Sequence, residues 1–156
     1  MSDQSTFTDQ EWETLTFAPL WAADFVGRAD EDVDRREAAA TLRDLSRAYL
    51  SQEPLVREVF EEAGARFADL MARLERDPRT YEQGLEDARE VLDSKASAEE
   101  GKALKRQLLG IGVHVARSSG ASGESVSEEE KERLATVAAA LGISPDQIFR
   151  PQRNRD

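Results

Sequence analysis

The chain has no cysteine, one histidine (His114), five prolines and nine glycines in 156 residues. Without cysteine there are no disulfides and no thiolate metal sites, which fits a reducing cytoplasm. His114 stands between Val113 and Val115 with no histidine or cysteine near it in sequence, so packing at a core edge or a surface place suits it better than catalysis. Long apolar runs are lacking, and none approaches the roughly 20 residues that span a bilayer. The N-terminus is acidic and polar, with no basic stretch before an apolar one, so no secretory leader is expected. Positive charge is in deficit: the formal net charge of -11 speaks against a nucleic-acid partner, because phosphate binding relies on clustered Lys and Arg. No serine sits in a nucleophile elbow, and Gly110-Ile111-Gly112 lacks the strand–turn–helix context of a phosphate loop.

What is present is helix-forming composition and helical periodicity, with no segment that alternates as a strand. Thr8 and Glu11 form a capping box opening a first helix that runs to about Gly27, with Pro19 kinking or splitting it. A second helix opens at Asp34 with Glu37 as its reciprocal cap and carries Ala38, Leu42, Leu45 and Tyr49 on its apolar face. A third starts near Pro54, carries Val56, Val59, Phe60, Ala63, Phe67, Leu70, Met71 and Leu74, can break near Gly64 and ends before Pro78. Tyr81, Leu85, Ala88 and Leu92 mark a fourth; Ser97 with Glu100 opens a fifth carrying Leu104, Leu108, Ile111 and Val115. Residues 118–123 read as a loop, and Ser127 with Glu130 caps a sixth helix that stops at Gly142. Ser144-Pro145 starts a short last turn. The expectation is an all-α fold of about seven helices in a compact bundle, spanning residues 8–150 between a flexible N-terminus (1–7) and a flexible tail (151–156).

Charge concentrates in one place. Residues 1–37 hold ten acids against three arginines, a net of seven negatives. Asp30, Asp32, Asp34 and Glu37 put four carboxylates on a short turn, and the alternation of the three aspartates suits hard cations such as Ca²⁺ or Mg²⁺, which take several oxygen ligands. The EF-hand template is not met, since Arg35 and Thr41 stand where its glycine and its final glutamate belong. The same residues also read as a plain helix start, with Asp34 as N-cap, Glu37 its partner and the rest a solvated turn. Trp12, Phe17 and Trp21 are either core or an apolar patch for a partner.

The pattern occurs twice. An apolar helix (20–26) leads into Ala29-Asp30-Glu31-Asp32-Val33-Asp34-Arg35-Arg36-Glu37; later Val115-Ala116 leads through Ser119, Gly120, Ser122, Gly123 and Glu124 to Val126-Ser127-Glu128-Glu129-Glu130 and closes in Ala139-Ala140-Leu141-Gly142-Ile143. Together with Ala18-Pro19-Leu20, this arrangement resembles the tellurite-resistance TerB-like family over about two thirds of the chain. Two positions differ from the family's pattern: Glu31 replaces a glycine, and Ser119 replaces the second aspartate. The resemblance implies two related helix–acidic turn–helix units whose turns can hold a divalent cation, with Asp30, Asp34 and Glu37 on the family's acidic positions and Asp32 as a local addition. It further implies a non-enzymatic, cytoplasmic stress-response or interaction domain with an unidentified protein partner and a Ca²⁺ or Mg²⁺ ion at the first turn. Two other readings stay open: a metal-free helical interaction module, and a metal-dependent hydrolase.

Overall fold

The computed structural model describes residues 4–27, 53–119 and 128–143; side chains are described to Phe25 in the first segment and to His114 in the second. Asp30, Asp32, Asp34 and Glu37, the helix expected over 34–49, and the turn expected at 144–149 lie outside the described residues. Among the described residues the fold is all helical. A short 3-10 turn (Gln4–Thr6) precedes α1 (Asp9–Gly27), α2 (Pro54–Ala65), α3 (Phe67–Arg76), α4 (Tyr81–Lys95), α5 (Ala98–Ser119) and α6 (Glu128–Leu141). None of these helices is long and apolar enough to cross a membrane.

α1 is the central element, packing most extensively against α5 and α4 and also touching α2, α3 and α6. Its sequence explains this role. It is apolar around most of its circumference, so Leu15, Phe17, Ala18, Leu20, Trp21, Ala22 and Ala23 are all buried. Trp12, Phe17 and Trp21 are therefore core rather than a surface patch, with Phe17 edge-on to Trp21 at 5.3 Å. Pro19 lies inside α1 without dividing it. The surrounding helices supply the stripes their periodicity predicts: Val56, Val59, Phe60 and Ala63 from α2, Leu85, Ala88 and Leu92 from α4, Leu104, Leu108 and Ile111 from α5, and Leu134, Val137, Ala138 and Leu141 from α6.

The helix ends follow their capping chemistry. Thr8 and Glu11 exchange backbone-to-side-chain bonds (2.8 and 3.1 Å), as do Ser97 and Glu100 (2.9 and 3.1 Å). A further box, Thr80 with Gln83, opens α4. At the end of α6, Gly142 has φ +81°, its N–H donates to the Ala139 carbonyl, and the Ile143 N–H donates to the Ala138 carbonyl. That is a Schellman stop, which needs a residue without a Cβ penalty at positive φ.

Two expectations need correction. The break foreseen near Gly64 falls two residues later, at Arg66 (φ -112°, ψ 28°), and divides the third helix into α2 and α3. There Arg66 donates to both Glu62 and Asp69 at 2.7 Å, tying the end of one helix to the start of the next. Ser118 and Ser119, expected to open a loop, belong instead to α5. A helix already 20 residues long propagates through two serines at a small propensity cost.

Candidate functional site

The best-formed polar site lies where α1 meets the segment joining α3 to α4, and it is organised by Arg79. In Asp77-Pro78-Arg79 the Asp77 carboxylate accepts from the Arg79 backbone N–H at 2.9 Å, an Asx-type turn that the helix-breaking proline favours. The same carboxylate takes the guanidinium in a two-pronged grip, from Nε at 2.9 Å and from Nη2 at 2.8 Å. Nη1 donates to Asp87 of α4 at 3.0 Å and to the buried Thr14 hydroxyl of α1 at 3.2 Å. The guanidinium carbon sits 5.0 Å from the centre of the Trp21 ring. One side chain thus ties α1 and α4 to the segment that joins α3 to α4.

Clefts open on either side of it. One, of about 380 Å³, is lined by Thr8, Glu11, Thr14, Arg79, Asp87 and Glu90 among others. The other, of about 210 Å³, is lined by Trp21, Asp24, Met71, Glu75, Arg79 and Tyr81 among others. The charged groups are largely committed to one another. Lys95 donates to Glu11 at 2.8 Å, and the Tyr81 hydroxyl donates to Asp24 at 2.7 Å. Arg79, with four of its five N–H donors engaged by Asp77, Asp87 and Thr14, acts as a structural clamp more than as an anion receptor.

The pairing fixes protonation states. The side-chain bond from Arg79 holds the Asp77 carboxyl below the ordinary carboxylate range, against the opposing effect of its partial burial. The guanidinium is correspondingly held charged, chiefly by Asp77. A depressed folded-state value means that Asp77 adds stability above its unfolded value, about 3.9, and loses it as pH falls through the lower folded value. The stability gap between wild type and Asp77→Asn is therefore expected to shrink as urea denaturation is repeated from pH 5 down to pH 3; a constant gap would refute the pairing.

The C-terminal end of α1 is held from two directions. Arg133 of α6 donates to the Phe25 carbonyl at 2.8 Å, with its guanidinium carbon 4.8 Å from the centre of the Phe25 ring. Phe25 in turn packs on Tyr81, with centroids 5.2 Å apart. α1 has no basic residue in its own last turn, so this cation arrives from elsewhere in the chain.

The sequence-derived sites divide as follows. The four residues Asp30, Asp32, Asp34 and Glu37 lie outside the described residues, as do Gly120, Ser122, Gly123, Glu124 and Ser127 of the second turn. Glu130 is described and buried, in the first turn of α6. His114 is exposed on α5. Among the described residues no three His, Cys, Asp or Glu side chains gather as a metal site. Sequence reasoning did not single out Arg79; the Asp-Pro-Arg turn is its local signal, but Asp87, Thr14 and Trp21 come to it only through folding. No protein-family model matches this chain, no curated protein matches it, and no solved structure does.

Proposed function

We propose that this chain is a non-enzymatic helical interaction domain of the TerB-like kind, with a Ca²⁺- or Mg²⁺-class ion at its first acidic turn. The observation that carries the reading is the doubled sequence unit, whose first copy gathers Asp30, Asp32, Asp34 and Glu37 within eight residues. The helical frame is compatible with it. α1 closes at Gly27, just before the carboxylates, and the C-terminal end of a helix carries partial negative charge that favours a cation. Downstream, α5 and α6 are the described helices before and after residues 120–127.

Calorimetric titration of Ca²⁺ and of Mg²⁺ into wild type and into Asp30→Ala/Asp34→Ala tests it. Saturable heat with one ion in wild type, lost in the variant, is the expected result; equal, negligible heats for both proteins end the metal half of the proposal.

One observation favours a second reading, the metal-free interaction module. Three capping boxes are formed in the described chain, at Thr8/Glu11, Thr80/Gln83 and Ser97/Glu100. Asp34 and Glu37 have the same spacing, and a carboxylate used in a cap has less freedom to ligate an ion. A partner captured equally well with and without chelator supports this reading.

A further inference from the structure

Acids are spread along nearly the whole chain, 32 in 156 residues, yet none occurs between Gly101 and Gly123, the longest stretch without one. Most of that stretch is α5. Its first two turns carry three cations, Lys102, Lys105 and Arg106. Lys105 is spent: its side chain is partly shielded and donates to Asp93 of α4 at 2.8 Å. Lys102 and Arg106 are exposed, and neither has a carboxylate partner among the described residues. Asp93 is also held by Arg89 at 3.5 Å, so it does not cancel the two free charges.

The free cations share a face with apolar side chains. Positions 102, 106, 109 and 113 follow one another at helical spacing, so they form a single row along α5. Lys102 and Arg106 open the row, after Glu99 one turn earlier; Leu109 and Val113, half-buried at the edge of the core, continue it. The helices packed beside α5 present the opposite charge, with Glu82, Glu86 and Glu90 exposed on α4 and Glu128, Glu129 and Glu132 exposed on α6. Packed helices lie about 8–10 Å apart, close to the Debye length of about 8 Å at physiological ionic strength. A narrow anionic ligand seated on α5 is therefore largely screened from those acids. A broad one, such as an anionic bilayer, meets them and is repelled.

We infer that the row from Lys102 to Val113 docks an acidic segment of a partner protein, with carboxylates on Lys102 and Arg106 and an aliphatic side chain against Leu109 and Val113. Charge complementarity sets the sign of the partner. The aliphatic half of the row separates a peptide from a bare anion, which gains nothing there. The inference rests on the interaction half of the proposed function, for which it names a partner class, and makes no use of the acidic turn.

The probe is acetyl-Gly-Glu-Glu-Ala-Leu-Leu-Gly-amide, titrated into the ¹⁵N-labelled full chain in EDTA so that failure of the cation site leaves the result untouched. Backbone amide resonances of residues 102–113 are expected to shift and saturate together. Lys102→Glu/Arg106→Glu should raise Kd about tenfold, through two lost ion pairs and the repulsion that replaces them. Arg76→Glu/Lys131→Glu makes the same change in net charge at exposed cations of α3 and α6, and should leave Kd within about twofold. All four side chains are exposed, so neither variant disturbs the core. Serine in place of both leucines of the peptide should weaken binding. Equal weakening by the two charge reversals overturns the inference, because net charge alone would then account for binding. So does an absence of shifts in α5, undiminished affinity for the serine peptide, or tighter binding to phosphatidylserine vesicles than to the peptide. Sedimentation showing a dimer that Lys102→Glu/Arg106→Glu abolishes would also overturn it, by giving the row to a second copy of the chain.

Discussion

Gly84→Ala is expected to destabilise the fold by about 2 kcal/mol, lowering the melting temperature by about 4–8 °C for a domain of this size. A Cβ at position 84 would lie 2.6 Å from three atoms of the Trp21 indole. Trp21 is 2% exposed and is braced by Phe17 and Arg79, so the ring has little room to retreat. Glycine to alanine inside a helix ordinarily gains about 1 kcal/mol of propensity, and here the steric cost outweighs that gain. Gly101→Ala is the matched control. Its Cβ would meet Leu92 at 3.7 Å, an ordinary contact, so propensity wins and stability should rise slightly. Combining Gly84→Ala with Trp21→Phe removes the clashing ring, and the pair should cost less than the sum of the two single changes. Equal melting temperatures for Gly84→Ala and Gly101→Ala would refute the close approach of α1 and α4.

Arg79→Ala should cost a similar amount, about 2 kcal/mol, between the values for exposed and for buried pairs. Asp77 and Arg79 are both partly shielded, with side chains 14% and 22% exposed, so a full buried-pair penalty is not expected. Three losses combine: the two-pronged bond to Asp77, the bonds to Asp87 and Thr14, and the cover over Trp21. Lysine restores the charge but not the fork, so Arg79→Lys should recover only part of the loss. Urea denaturation of the three proteins at pH 7 and at pH 3 checks this. The alanine variant's deficit should narrow at pH 3, below the ordinary carboxylate value of about 3.9, where Asp77 of the unfolded chain takes up a proton and the advantage of pairing it with the guanidinium starts to be lost. A deficit independent of pH would place the stabilisation in packing alone.

Much of the helical frame was legible in the chain. The boxes at Thr8 and Ser97 and the stop at Gly142 are local chemistry, set by residues three or four positions apart, and the structure forms them as the sequence predicts. Thr80-Tyr81-Glu82-Gln83 carries the same signal with glutamine in place of glutamate and was equally readable. The break at Arg66 was less so. Gly64 is the weakest helix former nearby, yet the chain turns two residues later, where one arginine can reach carboxylates on both sides. That choice depends on side-chain pairing across the break, which a propensity scale does not contain.

The sequence by itself determined that this protein is helical, where most of its helices begin, which faces are apolar and how far negative charge exceeds positive. These properties follow from contacts within a turn or two and from composition, so no knowledge of the fold is needed. Only the tertiary structure decided that α1 is the buried centre, that Trp12 and Trp21 are core, and that Gly84 lies close against the Trp21 ring. It alone brought Arg79 to Thr14, 65 residues away in the chain, and Arg133 to Phe25, 108 residues away. Such pairings have no sequence periodicity, because they are fixed by how rigid helices pack once their apolar faces are buried together.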